Sequence, residues 1–155
     1  MYKHLLLASD GTRESLVTLR EGALIAKRFE ATAHLLIIEP ETASTRIAES
    51  HCAVERSAHS RELLDLGLSR LRQLGVKSTG ELLRGEPVRL ISERVGPLGI
   101  DLVVLGHRRQ SFLDRWWSGA NGGYIVDNVA CSVLVVRDTI SDEEFNCHLA
   151  AASAG

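Results

Sequence analysis

Cysteine is scarce. Cys52, Cys131 and Cys147 are the three in the chain, an odd number with no CxxC spacing. That excludes a disulfide framework and implies reduced thiols in a cytoplasmic protein. Proline is equally sparse, with Pro40, Pro87 and Pro97 each at the boundary of an expected element. No proline-rich or low-complexity linker divides the chain, and no internal repeat is visible. The longest apolar runs, such as Leu35-Leu36-Ile37-Ile38, are far too short to span a bilayer. Lys3 precedes only a brief apolar run from residue 5 to 8, so a signal peptide is not expected. Charge of one sign is lacking too. Eighteen basic against twenty acidic residues leave a formal net charge of -2, which argues against nucleic acid or anionic membrane as the main partner.

Catalytic signatures are missing as well. There is no Walker loop, no Gly-x-Ser-x-Gly elbow and no dinucleotide Gly-x-Gly-x-x-Gly, so no catalytic set is expected. His51, Cys52 and His59 lack a further ligand at a recognisable spacing. They read as surface or core residues, as do Cys147 and His148, and no metal site is expected.

What remains is the composition of one globular domain: 155 residues, 45% apolar and 25% charged, enough to bury a full core. Residues 4–8 form an apolar run followed at once by Ser9-Asp10-Gly11-Thr12, which reads as a buried strand feeding a helix. The helix is expected over 15–28, with Leu16, Leu19, Ala23 and Ala26 on one face. A second doubly apolar strand is expected over 33–38, stopped by Glu39-Pro40. A polar connection follows, then a long helix with Ser60, Leu64, Leu68, Leu71 and Leu74 as its stripe and Gly75 as its C-terminal cap. Residues 76–83 are a weaker strand suited to a sheet edge. Gly85-Glu86-Pro87 opens a helix that buries Val88, Ile91 and Val95, and residues 100–105 are the strongest strand. A loop from Gly106 to about Ala120, a helix to Val129 and a strand over 133–136 complete the series. Doubly apolar strands alternating with helices imply a doubly wound α/β fold, its parallel sheet covered on both faces. The domain is expected over 1–137. Residues 138–155 form a tail with a short helix, opened by the capping sequence Ser141-Asp142-Glu143-Glu144.

The segment 102–137 resembles the universal stress protein family. That family's signature runs Gly, two residues, Gly, nine residues, Gly, then Ser or Thr. Gly106 and Gly119 occupy the first and third glycines with the correct spacing, while Arg109 and Ala120 replace the second glycine and the hydroxyl. Residues 129–136 resemble its closing strand, residues 5–12 its first strand and Asp-Gly-Ser turn, and Gly85-Glu86-Pro87 its turn before the third helix. The resemblance implies a five-stranded, Rossmann-like sheet of order 3-2-1-4-5, with a crevice between strands one and four.

It also implies candidate residues for ATP or AMP in that crevice. Gly106 and Gly119 let backbone approach the phosphates. Arg108 and Arg109 are guanidinium donors suited to phosphate, or simply a solvated basic loop together with Arg115. Ala120 removes a hydroxyl donor, while Asn121 can cap the helix in its place. Asp10 matches the family aspartate near adenine and ribose, or is a helix cap. Ile37 matches an apolar residue under the base, or is plain core. Trp116-Trp117 reads as a lid or subunit contact, or as a stacking platform. Cys131 reads as an inert packed thiol. Relatives pair their last strand across a two-fold axis, which implies a homodimer through Val133, Leu134, Val135 and Val136. Two readings stay open: a nucleotide-binding stress protein, and a nucleotide-free dimeric scaffold. A weak ATP hydrolase would lack a metal-binding carboxylate pair and a base.

Overall fold

The first strand, β1 (His4–Ser9), is buried on both faces from its second residue onward, and that determines the rest of the architecture. A computed structural model describes residues 1–39, 51–106, 124–137 and 139–153. After β1 come α1 (Arg13–Thr18), α2 (Arg20–Arg28), β2 (Thr32–Glu39), α3 (His51–Gln73), β3 (Ser78–Arg84), α4 (Pro87–Val95), β4 (Leu102–Gly106), α5 (Ile125–Asn128), β5 (Ser132–Val136) and α6 (Asp142–Ser153). The strands form one sheet of order β3-β2-β1-β4-β5, parallel at every pairing. This is the doubly wound order expected from the resemblance.

Period-two alternation divides the sheet's side chains between two cores. Leu5, Leu7, Ala33, Leu35, Leu102 and Val104 face α1, α2, α3 and the tail helix α6. Leu6, Ala8, Leu36, Ile38, Val103 and Leu105 face α4 and α5. Val103 and Val104 have no exposed surface, and Leu105 has 4%. A mid-sheet strand has no solvent side, so an apolar run without a polar partner is what β4 requires.

The single helix expected over 15–28 is two helices. The Leu19 N–H turns back to Leu16 O at 3.2 Å, a tighter i→i−3 bond that breaks the regular α ladder between α1 and α2. Beyond the break Leu19, Ala23 and Ala26 are buried as expected, but Arg20 is buried beside them. Its guanidinium donates to Ile140 O at 2.9 Å, pairs with Asp142 and lies 5.7 Å over the Phe145 ring. Those contacts tie α6 to α2. Phe145 is 3% exposed and joins the first core, with Ile140 and Leu149 packed beside it.

Helix α3 ends as expected at Gly75, at φ 80. The Gly75 N–H bonds to Arg72 O and that of Val76 to Leu71 O, both at 2.9 Å, the paired bonds of a Schellman cap. Helix α2 ends with the same two bonds, Glu30 N to Lys27 O and Ala31 N to Ala26 O. Its left-handed residue is Glu30, at φ 52.

The two edges of the sheet differ. At the β3 edge, Arg94 of α4 donates to Glu81 at 2.6 Å, His34 of β2 meets the same oxygen at 3.1 Å, and Arg84 donates to Glu39 at 2.8 Å. Burial alone would raise the Glu81 carboxyl, but the hydrogen bonds from Arg94 and His34 outweigh it and hold it below its ordinary value. The β5 edge carries no such charges. Val133, Leu134 and Val135 are half-buried and Val136 is buried.

Candidate functional site

Strand β1 delivers its chain to the carboxyl edge of the sheet through a turn rich in hydroxyls. Asp10 Oδ1 accepts from the Thr12 N–H at 3.1 Å and from Thr12 Oγ1 at 2.7 Å, the hydrogen-bond pattern of an Asx turn. The cap of α1 is Thr12, whose Oγ1 accepts from Ser15 N at 3.1 Å. The helix-cap alternative for Asp10 is therefore corrected: Asp10 shapes the turn, and the cap falls two residues later. Ser15 Oγ donates to Thr12 O at 2.9 Å and lies 2.5 Å from Ser9 Oγ. Buried Ser9 in turn accepts from the Gly11 N–H at 3.3 Å.

Gly11 holds the corner. Its φ is +75, and a Cβ there would lie 3.0 Å from Ser60 Oγ and 3.4 Å from Ile37 Cγ2. Both backbone conformation and space therefore select glycine. The turn rests on Ser60 of α3 and on Ile37 of β2, which is fully buried. Ile37 pairs in register with Ser9.

Gly106 closes β4, opposite Val136. Because Ala8 pairs with Leu105, the next step along each strand sets Ser9 beside Gly106. Asp10, Ile37 and Gly106 thus come together at the carboxyl ends of β1, β2 and β4. From there the connections diverge: α1 and α2 pack with the first core, while Ile125 of α5 packs with the second. This is a topological switch point, the place where doubly wound sheets open a crevice.

Arg108, Arg109, Gly119, Ala120 and Asn121 lie outside the described residues, as do Arg115, Trp116 and Trp117. So do the side chains of His51 and Cys52, while His59 is exposed. Among the described residues no three His, Cys, Asp or Glu side chains cluster as metal ligands, and no helix is long and apolar enough to cross a membrane. Cys131 is half-buried beside β5. Burial pushes its thiol up, Asp101 adds to the shift, and a backbone hydrogen bond at Val103 partly offsets it. No motif in the sequence marks Ser9, Gly11, Thr12 and Ser60 as site residues. A run of small hydroxyls around a glycine, where an apolar strand meets a helix, was the signal available for the first three.

The family model described as the universal stress protein family matches residues 1–137. The chain belongs to the universal stress protein family. A relative from Staphylococcus epidermidis is 29% identical over 153 residues, covering 96% of this chain and 92% of its own. Among solved structures, universal stress protein UspA from Lactobacillus plantarum superposes with a TM-score of 0.69 at 23% identity, over 88% of this chain and 98% of that one. A universal stress protein family protein from Arabidopsis thaliana, solved with AMP bound, gives 0.59 at 17% identity, over 90% and 97%. The universal stress protein sheet order is the order of this sheet, and α6 lies beyond the matched segment.

Proposed function

We propose that this chain is a universal stress protein that acts by binding an adenine nucleotide, AMP or ATP, in the crevice between β1 and β4, without catalysing a reaction on it. One observation carries the reading: Asp10, Ile37 and Gly106 meet at the switch point of the sheet. Asp10 Oδ2 receives no hydrogen bond among the described residues and is the acceptor for a ribose hydroxyl or an adenine amino group. Ile37, fully buried under the Gly11 corner, backs the crevice from below. Gly106 brings backbone toward the phosphates, followed in sequence by Arg108, Arg109, Gly119, Ala120 and Asn121. The structure of the Arabidopsis relative with AMP bound supports the ligand class.

Isothermal titration with AMP and ATP tests this. Asp10→Ala should weaken binding about tenfold or more, the loss of one hydrogen bond to a buried ligand. No heat with either nucleotide at millimolar concentration would overturn the reading. The second reading, a nucleotide-free dimeric scaffold, is favoured by one specific feature: Arg109 and Ala120 stand where the family pattern has glycine and a hydroxyl. The double variant Arg109→Gly with Ala120→Ser separates the two. If lost phosphate donors govern, it should bind ATP about thirtyfold to a thousandfold more tightly than wild type. If Arg109 is itself a phosphate ligand, the double variant should bind more weakly, with a shallower salt dependence.

Two copies of the chain pair through their β5 edges in this proposal. Val133, Leu134 and Val135 present half-buried apolar side chains on a strand with one unpaired edge, which suits an isologous contact.

A further inference from the structure

A pocket of about 330 Å³ opens at the amino-terminal end of the sheet, lined among others by His4, Thr32, His34, Lys77 and Thr79, with Leu98 and Ile100 also in its lining. Its position breaks the rule that the rest of the sheet obeys. In a parallel sheet covered on both faces the strands are apolar throughout. Here the α4 face of β1 and β2 instead begins with His4, Thr32 and His34, before Leu6, Leu36 and Ile38 restore the apolar pattern. Departures of this kind are expected at functional sites.

The polar groups are ordered. His4 Nδ1 lies 2.8 Å from Thr32 Oγ1. His34 is fixed at both ring nitrogens, by Thr79 Oγ1 at 2.9 Å and Glu81 Oε1 at 3.1 Å, which makes it a positioned wall. His4 Nε2 and the Lys77 ammonium have no partner among the described residues. None of the described residues lining the pocket is acidic. Two carboxylates bonded to residues beside the pocket are already engaged. Glu81 is held by Arg94 and His34, and Asp101 accepts from the backbone N–H groups of Lys3 and His4 at 2.7 and 3.2 Å.

A concave site with an ammonium and an imidazole, and no acidic side chain among its described lining residues, suits an oxyanion. We infer that this pocket binds a small oxyanion, a phosphate or a carboxylate. The site is independent of the nucleotide crevice, about 20 Å away along β1.

The test is NMR of the full chain, observing the imidazoles of His4 and His34 during titration with inorganic phosphate and, separately, succinate. Both imidazoles should shift with a common saturation curve. Lys77→Ala and His4→Gln, at exposed positions where folding is not at stake, should each weaken saturation about fivefold. A response to phosphate alone identifies a phosphoryl site, and a response to both identifies a general oxyanion site. Either supports the inference. Unmoved imidazoles, undiminished binding in both variants, or shifts confined to the amides of Asp10 and Gly106 would each overturn it.

Discussion

At the scale of single residues, the informative positions are those where backbone conformation and side chain disagree or have no slack. Glu30 occupies the left-handed position of a Schellman cap at φ 52, where an L side chain costs about 1–2 kcal/mol. Glycine loses about 0.5–1 kcal/mol of chain entropy in exchange. Glu30→Gly should therefore stabilise the protein by about 0.5–1 kcal/mol, read as an increased midpoint in urea at unchanged slope. Gly11 is the opposite case. Gly11→Ala combines the strain of φ +75 with a Cβ 3.0 Å from Ser60 Oγ, and should cost about 2 kcal/mol or more. Adding Ser60→Ala should recover only the steric part. The thiols differ in the same local sense. Burial raises Cys131 whereas Cys147 is exposed, so a maleimide at neutral pH should label Cys147 first and Cys131 slowly. Equal labelling rates would contradict the packing described for β5.

Elements are held together by contacts between distant parts of the sequence, and there the two partners of an ion pair need not matter equally. Arg20 has 6% of its side chain exposed and Asp142 has 81%. Removing the arginine also takes the donor from Ile140 O and the cation from the Phe145 ring, whereas removing only the carboxylate's charge leaves Arg20 both of those contacts. Arg20→Met should therefore loosen α6 more than Asp142→Asn does, by about 1–2 kcal/mol against less than about 1. Hydrogen exchange at residues 142–153 in the two variants measures this directly. The Glu81 cluster makes a pH-dependent link between β2, β3 and α4. Its folded carboxyl is held below the ordinary 4.5, so its contribution is complete above that value and is lost as pH falls through the lower folded one. Glu81→Gln should flatten the acid limb of the stability curve below about pH 4.5 and leave pH 7 to 9 parallel to wild type. The strands and most helices were legible because apolar periodicity and the Gly75 and Pro87 boundaries mark them locally. The break at Leu19 was not, since no proline or glycine announces it and the reason lies in Arg20 turning inward toward Ile140 and Asp142, 120 and 122 residues away. His34 against Glu81 was equally hidden, because it depends on the register of β2 against β3. At the site, Asp10 and Gly106 were visible as motif positions, while the Thr12 cap and the Ser60 contact needed the turn's three-dimensional course.

For the whole molecule, Phe145 in the first core means that the segment after β5 contributes to the stability of the sheet it covers. Phe145→Ala should cost about 3 kcal/mol, the low end for a buried aromatic, since α6 can partly collapse onto the gap. A loss below about 1 kcal/mol in thermal unfolding would mean that the tail is not part of the cooperative unit. If two copies join through β5, the contrast between the sheet's edges has a consequence for how far assembly can go. The β3 edge carries Glu81 and Arg84 in ion pairs and a threonine–histidine contact, a poor template for another strand. Each subunit then offers one adhesive margin and one inert margin. A two-fold pairing consumes the adhesive one on both partners and leaves nothing to extend. Growth stops at two, and the continuous ribbon that a sheet with two open apolar borders would propagate is barred by the charges along β3.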